Sequence, residues 1–519
     1  MKKNLMSLAV AASVAGVATT AQAAMYLDPE GKGQVLLYPY YNAVDTNETS
    51  IHIVNTTADA KAVKVRILEY INSQEVLDFN LYMSPYDHFS FTIFQHPDGD
   101  NGALVTRDES CTVPRLGTAT GLGGTLEGFT TDDGARIQPF LPFQYQKDYD
   151  GLDFAARSQV GHVEVIEMGT LTNENANLAT AFNPALWATH DSDGIPANCD
   201  ALVAAWDPDT GKWAGKGTGT VGANVEISAA SGGLYGLSNV LDSADAAGFG
   251  IEPAAIEGFW ASPYYNHTDP GTTSPSLGDG DKFSIVNAGG DAYLLEFTNG
   301  WDAVSSLFMS QNIYNDVMIN PAVNGMTDWI VTFPTKREYV NRVTALRPFT
   351  DKYVTGTAAS PKTYAAANLA CEPISLKQWN REESTPVGGN PIFSPAPPTP
   401  TSAQATLCLE TNTLAMGEAG TPSVTNTVLA EKGKEYLPAS NVSFIAGEVE
   451  GWQRMTFGAT GHVLPTVDST LGTTVRTGAA LAGLPVMGFA AFKYANGDRS
   501  YGFVSDHKTD TVGSAVRRQ

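Results

Sequence analysis

Between residues 34 and 94, apolar and polar side chains alternate with a period of two. In "TSIHIV" Ile51 and Ile53 share one face, and in "KAVKVRILE" Lys64 and Arg66 are expected to face solvent, opposite the valines. The stretches "VLDFNLY" and "HFSFTIF" alternate in the same way. Alternation over five to eight residues, interrupted by turn-forming residues, predicts consecutive β-strands. Because each strand has one apolar face, we predict two sheets that pack on each other.

The rest of the chain repeats this strand signal and contains little helical signal. Further strands are predicted at 161–169, 232–242, 281–287, 292–299, 328–335, 441–458 and 486–495, and short helices at 198–207 and 252–260. The Pro-, Ser- and Thr-rich stretch from 384 to 406 predicts a long surface loop. The fold class is therefore mainly β, with two antiparallel β-sandwich domains of the immunoglobulin-like or jelly-roll-like kind, short helical excursions and long loops.

Short sequence repeats indicate that the two domains are related by duplication. The tetrapeptide "PYYN" occurs at 39–42 and 263–266, and the pattern I-V-N, three residues, D-A occurs at 53–60 and 285–292. In each half a later segment, "SPYDHFSFTIF" or "GMTDWIVTF", places an Asp before a strand. We predict a first sandwich over 24–250 and a second over 251–519. In this alignment Ile53 and Ile285 are core residues, and the Asn after each I-V pair ends a strand.

The first 23 residues have the features of a signal peptide. Lys2 and Lys3 precede a short apolar stretch, and Ala21-Gln22-Ala23 offers the small-x-small pattern of a signal peptidase site. We expect cleavage after Ala23 and a mature chain that is periplasmic, on the cell surface or extracellular. The apolar stretch is too short to serve as an anchor, and no later segment reaches the length of a membrane-spanning helix.

The chain is strongly acidic. Its 31 basic and 55 acidic residues give a formal net charge of −24 at pH 7. Such a charge repels phosphate backbones, so we expect no nucleic-acid partner. It also disfavours binding to anionic membranes and favours solubility after export.

Four cysteines, Cys111, Cys199, Cys371 and Cys408, remain in the mature chain. None forms a C-x-x-C motif, so zinc ribbons, thioredoxin chemistry and c-type haem attachment lack their spacing. In an oxidising compartment two disulfides are expected, and three pairings are open. We favour Cys111–Cys199 with Cys371–Cys408, because each pair then stays within one half of the chain. The second disulfide would close a pinned loop over 371–408 that contains the Pro-, Ser- and Thr-rich stretch.

Motifs for catalysis are absent from the sequence or better explained as structure. No G-x-S-x-G, G-x-G-x-x-G or phosphate-loop motif occurs, and the eight His residues show no H-x-H or H-E-x-x-H spacing. Ser505, Asp506 and His507 are consecutive, so in a strand they cannot all share a face. His162 and Glu164 do share a strand face, and we interpret them as a solvated polar patch.

Calcium is the one metal for which the sequence offers a candidate. "THDSDGIPANCD" places Asp191, Asp193 and Asp200 at the third, fifth and twelfth positions of an EF-hand-like loop. Thr189 stands at the first position, where Asp is usual, and Pro196 follows the central glycine. Asp- and Gly-rich clusters are also ordinary turn-forming segments in acidic β-proteins.

Two functional hypotheses from different classes remain open. The first is an exported, non-catalytic β-sandwich protein that acts by surface contact, as a cell-surface, matrix or adhesion component, with a polysaccharide or a protein as its partner. The second is a secreted carbohydrate-active hydrolase or carbohydrate-binding protein on a β scaffold. The sequence contains no catalytic constellation, which favours the first. It does not determine the oligomeric state.

Overall fold

The structure is a computed structural model. It describes residues 24–147, 153–214, 225–244, 246–261, 263–288, 291–353, 369–383, 405–417, 427–429, 440–458, 461–467, 469–471, 474–476, 480–497 and 499–514. The predicted signal peptide (1–23) and residues 384–404 of the predicted pinned loop lie outside these ranges.

Strands dominate both halves, which confirms the mainly β prediction. In the first half they are β1 (Tyr26–Leu27), β2 (Val35–Asn42), β3 (Asn47–Asn55), β4 (Lys61–Glu69), β5 (Glu75–Met83), β6 (His88–Gln95), β7 (Gly102–Thr106), β8 (Cys111–Val113), β9 (Phe129–Thr130), β10 (Arg136–Pro139), β11 (Val160–Leu171), β12 (Ile227–Ser228), β13 (Leu234–Asp242), β14 (Ala247–Ile251) and β15 (Ala254–Glu257).

In the second half they are β16 (Phe283–Ala288), β17 (Asp291–Glu296), β18 (Met309–Ser310), β19 (Asn312–Met318), β20 (Met326–Thr332), β21 (Glu372–Asn380), β22 (Ala405–Leu407), β23 (Thr411–Gly417), β24 (Ser440–Ser443), β25 (Glu450–Thr456), β26 (Val463–Pro465), β27 (Ser469–Leu471), β28 (Thr474–Arg476), β29 (Ala480–Ala482), β30 (Leu484–Pro485), β31 (Met487–Asn496), β32 (Arg499–Asp506), β33 (Lys508–Asp510) and β34 (Val512–Ser514).

The helices are short: α1 (Pro184–Ala188), α2 (Cys199–Ala204), α3 (Gly300–Phe308) and α4 (Lys336–Tyr339). Helix α2 confirms the helix predicted at 198–207, and the Asn198 side chain caps it by accepting from the Ala201 amide. The helix predicted at 252–260 is wrong. Residues 254–256 instead pair with β2 as part of β15, because sheet pairing overrides the modest helix preference of the alanines.

The first half forms a sandwich of two sheets. Sheet 1 has the order β1-β15-β2-β11-β4-β5-β8, with β12 beside β11, and sheet 2 has the order β14-β13-β3-β6-β7-β10-β9. Their facing sides share one apolar core that contains Ile51 and Ile53 from β3, Val63 and Val65 from β4, and Phe89 and Phe91 from β6. The alternation of these strands is therefore confirmed, as is the two-sheet arrangement.

The second half forms another sandwich. Sheet 3 has the order β22-β21-β25-β19-β33, and sheet 4 has the order β24-β23-β20-β31-β32. Trp329 and Val331 of sheet 4 pack in one core with Ile374 and Met455 of sheet 3. Sheets 1 and 4 then pack back to back. Ile330 shares a cluster with residues of the first half, and the Thr332 hydroxyl donates to the Pro39 carbonyl at 2.7 Å. Sheet 1 is thus an inner layer, and sheet 4 packs against both sheet 1 and the β13–β14 edge of sheet 2, whose Val240 and Phe249 share the cluster of Ile330.

This layering corrects the expectation that Lys64 and Arg66 face solvent. Sheet 1 is an inner layer, so both residues are buried at 0% and 5% exposure. Lys64 Nζ donates to Asp78 at 2.9 Å and to the Thr272 carbonyl at 3.1 Å. Arg66 donates to the carboxylates of Glu75 and Glu164. Ion pairs and carbonyl groups thus replace the water that these cations were expected to contact.

The two sandwiches have the same strand order. Five successive strands match in each pair of sheets. In sheets 1 and 3, β15-β2-β11-β4-β5 corresponds to β33-β19-β25-β21-β22. In sheets 2 and 4, β14-β13-β3-β6-β7 corresponds to β32-β31-β20-β23-β24. The β23–β24 pair differs because it is parallel, whereas β6–β7 is antiparallel. A detail also recurs. The Thr49 hydroxyl bonds both backbone groups of Asn42, and the Thr327 hydroxyl bonds both backbone groups of Met318. These likenesses support duplication, which stays a prediction.

The repeated I-V-N stretches themselves do not occupy equivalent places. The first joins β3 in sheet 2 to β4 in sheet 1, whereas the second lies in the two-stranded β16–β17 sheet, which bonds to Met25 beside β1. Ile53 is fully buried, but Ile285 is only half-buried, so its assignment to the core is corrected. Asn287 is exposed, whereas its counterpart in the first stretch, Asn55, is fully buried. The sequence alignment thus matched the wrong strands, since β3 corresponds to β20.

The structure contains the disulfides Cys111–Cys199 and Cys371–Cys408, with S–S distances of 1.99 and 2.05 Å. This is the sequential pairing favoured from the sequence. Within the described ranges, no helix is long and apolar enough to span a bilayer.

Candidate functional site

The three aspartates of the calcium candidate have separate roles. Asp191 Oδ1 accepts the amides of Asp193 and Ile195 within its own turn. Asp200 lies on α2 and pairs with Arg115 at 2.5 Å. Among the residues that the structure describes, no three His, Cys, Asp or Glu side chains form a group that could hold a metal ion. The structure thus shows a turn at Asp191 and an ion pair at Asp200, and calcium binding at this loop stays a prediction.

His162 and Glu164 are not the solvated patch that the sequence predicts. Both lie on the buried outer face of sheet 1, and Glu164 accepts from Arg66. Burial, helped by the nearby Arg66 cation, lowers the pKa of His162 to about 3, so the ring is neutral. His507 is also buried, with Nε2 at 3.0 Å from the Ile330 carbonyl, whereas Asp506 is exposed. The neighbours Asp506 and His507 therefore lie on opposite sides of the chain, as expected for consecutive residues of a strand.

A cavity of about 270 Å³ lies beside the first disulfide. Each of its two arginines already has a carboxylate near it, Asp200 at 2.5 Å from Arg115 and Glu109 at 3.8 Å from Arg136. The cavity is therefore close to neutral. Its charges are balanced within the protein, which leaves no surplus for a charged ligand.

The outer face of sheet 3 carries a row of three aromatic residues, Tyr314, Trp379 and Trp452, which we call the aromatic face. Leu376 and Gln378 of β21 point inward, so Trp379 points outward, and the same alternation places Trp452 on β25. The two tryptophans are direct cross-strand partners. Their ring centroids are 4.0 Å apart and their planes 8° apart, and Tyr314 follows at 6.3 Å from Trp452.

Charged side chains surround the aromatic face. Lys377 Nζ lies 5.0 Å from the centroid of the Trp379 ring, and the Arg454 guanidinium carbon lies 5.6 Å from the same centroid. The Tyr314 hydroxyl donates to Asp510 on β33, the edge strand of the sheet. Partial burial, together with this carboxylate, raises the pKa of Tyr314. Trp452 remains 37% exposed at the centre of the row.

These residues form one contact surface on the outer side of sheet 3. Each indole covers one face of the other, and two cations lie near the Trp379 ring. A partner would contact the ring edges, the exposed part of Trp452 and the charged groups. Tryptophan, tyrosine and arginine are the residue types that dominate binding energy in protein interfaces.

The three residues of the aromatic face were not predicted from the sequence. A strand was predicted around Trp452 but none at 312–318 or 372–380, where Tyr314 and Trp379 lie. The alternation in "EPISLKQWN" was the signal that would have found Trp379. The pairing of β21 with β25 could not be inferred from local sequence.

No family model, no curated protein and no solved structure matches this chain.

Proposed function

We propose that this chain is an exported, non-catalytic β-sandwich protein that acts by surface contact, and that the aromatic face binds a protein partner. The observation that carries the proposal is the stacked row of Tyr314, Trp452 and Trp379 on the open side of an outer sheet. Rigid aromatic residues that stay partly exposed in a folded monomer mark interaction surfaces.

The stacking favours a protein over a polysaccharide. A sugar ring packs against the face of an aromatic ring, and here the facing sides of Trp379 and Trp452 are only 4.0 Å apart and closed to a ligand. Lys377 and Arg454 also lie within 5.6 Å of the centre of the Trp379 ring. Ring edges combined with fixed cations suit the mixed polar and apolar surface of a protein.

The buried acids support a structural and not a catalytic role. Glu167 accepts from Lys61 at 2.8 Å, with both side chains fully buried. Glu69 pairs with Arg157 at 2.9 Å in the same inner layer. Carboxylates that are held in buried ion pairs cannot reach a substrate. They allow sheet 1 to be buried on both sides.

The two disulfides support the export part of the proposal. Disulfides persist in oxidising compartments and are rare in the cytosol of mesophiles. Cys111 and Cys199 are separated by 88 residues in the sequence, so their link constrains a large part of the first sandwich.

The test is co-sedimentation of the purified mature protein with envelope fragments from the cells that produce it. Trp452→Ala removes the centre of the aromatic face without touching the core. We expect it to weaken binding by about 30-fold, the effect of losing a hot-spot tryptophan. Digestion of surface proteins on the fragments should abolish the binding of the wild-type protein, whereas removal of polysaccharide should not.

Tyr264→Ala is the matched control, because Tyr264 is a 48% exposed aromatic in a loop outside the aromatic face. It should bind like the wild-type protein. Equal binding by Trp452→Ala and the wild type would contradict the assignment of the surface. Binding that survives protease but not polysaccharide removal would favour the carbohydrate hypothesis.

A further inference from the structure

Two histidines meet on the exposed outer face of sheet 2. His52 on β3 and His88 at the start of β6 are diagonal neighbours, because β3 and β6 pair with His52 opposite Ser90 and Val54 opposite His88. His52 Nδ1 lies 3.1 Å from His88 Nε2, and the ring centroids are 5.2 Å apart. His88 is exposed and His52 is half-buried.

This pair stands apart from the other histidines. The structure describes all eight, and five of them are buried: His96, His162, His267, His462 and His507. His190 is partly exposed but lies near a carboxylate, that of Asp87, at 3.7 Å. Only His52 and His88 present ring nitrogens to each other at the surface.

The separation of the two nitrogens matches that of neighbouring ligands on one metal ion. Imidazole nitrogens bind zinc at about 2.0–2.1 Å. When the N–metal–N angle lies between the square-planar and the tetrahedral value, the two nitrogens are therefore about 2.9–3.4 Å apart. The observed 3.1 Å falls in that interval. The ion would need no rearrangement of the two strands.

A neighbouring hydroxyl orients one of the rings. Ser50 Oγ lies 3.0 Å from His52 Nε2, the nitrogen that faces away from His88. When Ser50 accepts from Nε2–H, the Nδ1 lone pair of His52 points toward His88. Such a bond to the second ring nitrogen is the usual support of a metal-ligating histidine.

We propose that His52 and His88 bind one divalent transition-metal ion, through Nδ1 of the first and Nε2 of the second, with Ser50 as a positioning residue. Water completes the coordination, since the described residues bring no third His, Cys, Asp or Glu ligand to the site. Imidazole ligands suit copper, zinc and nickel, and copper(II) should bind most tightly.

The test uses the mature protein without a polyhistidine tag, stripped with a chelator and titrated with Cu²⁺ and with Zn²⁺ by calorimetry. We expect one equivalent of Cu²⁺ to bind more tightly than Zn²⁺. His52→Gln and His88→Gln should each abolish this binding, and Ser50→Ala should weaken it about tenfold. His190→Gln, the control, should bind like the wild-type protein.

Electron paramagnetic resonance of the Cu²⁺ complex gives a readout that does not depend on the variants. The wild-type signal should show coupling to two imidazole nitrogens. The proposal is overturned if no equivalent binds, if both glutamine variants retain the affinity of the wild type, if His190→Gln abolishes binding, or if the signal shows one nitrogen or none. Loss of binding in a folded His88→Gln variant, checked by circular dichroism, supports it.

Discussion

Glu410 offers a sharp test of how the two sandwiches are held together. Its side chain is fully buried where they meet, and Oε2 accepts from the Ser73 hydroxyl of the first sandwich at 2.7 Å. Its amide also donates to the Tyr70 carbonyl. Burial raises the pKa of Glu410 to about 8, assisted by the nearby Glu69, although the Lys336 cation opposes it. The carboxyl group is therefore mostly protonated at neutral pH.

The sign and size of the pH effect follow from this shift. The folded state holds the proton up to about pH 8, whereas the unfolded chain releases it near 4.5. The stabilisation by this bound proton is complete below pH 4.5. It falls by about 1.4 kcal/mol per pH unit above pH 4.5 and is lost once the pH has risen through 8. The total is at most about 5 kcal/mol, which corresponds to a fall in the thermal midpoint on the order of 10 °C.

Glu410→Gln removes the titration and keeps an oxygen that can accept from Ser73. We expect the variant to match the wild type near pH 4.5, to exceed it increasingly up to about pH 8 and to keep a constant advantage above that, as measured by thermal unfolding at each pH. Glu372→Gln is the contrasting control. Burial raises the pKa of Glu372, but the hydrogen bond from His462 and the Asp351 amide outweigh it, and the net pKa is lowered.

Glu372→Gln should therefore destabilise the protein at pH 7, and its effect should shrink as the pH falls below 4.5. If the wild type and Glu410→Gln lose stability in parallel between pH 5 and pH 9, the assignment of the buried proton to Glu410 is wrong. Other buried acids titrate in the same range, so the difference between the two proteins is the quantity to compare.

Three further predictions concern stability. Cys111→Ser should lower the free energy of unfolding by about 4–5 kcal/mol in denaturant titrations without reductant, because the disulfide closes a long loop. Lys61→Met should cost about 3–5 kcal/mol by leaving Glu167 buried without its cation, and adding Glu167→Gln should restore part of that loss, because its amide oxygen still accepts a backbone amide of Ser231 or Gly232. Thr327→Val should cost about 1–3 kcal/mol by leaving the Met318 backbone unpaired, and Thr49→Val should cost about as much; unequal costs would show that the two threonines differ in role.

Local sequence was sufficient to predict the strands but not their surroundings. Alternation in β3, β4 and β6 predicts which side chains share a face, because successive residues of a strand point to opposite sides. It does not say whether the polar face meets water. Lys64 follows the alternation and is nevertheless buried, since Asp78 and the chain segment at Thr272 cover it on this face of sheet 1. The helix predicted at 252–260 failed for a similar reason, because pairing with β2 decides its conformation.

The candidate sites depend on strand pairing over long sequence separations. His52 and His88 are 36 residues apart and meet only through the β3–β6 register. A shift of one residue in that register would move one imidazole to the core face. Trp379 and Trp452 depend in the same way on the β21–β25 register. A single sequence indicates on which face each residue lies but not which strand lies beside it.

The shared strand order and the layering together explain why the two candidate sites differ. Sheets 2 and 4 correspond in strand order, yet sheet 2 is an outer layer and sheet 4 an inner one. Aligning Thr49 with Thr327 places Ile330 at the position of His52, and Ile330 is fully buried against the first half. Conversely, the aromatic face lies on sheet 3, whose counterpart, sheet 1, is buried. Each sandwich therefore exposes a different one of its two sheets, and a binding surface on one half has no equivalent on the other even if both arose by duplication.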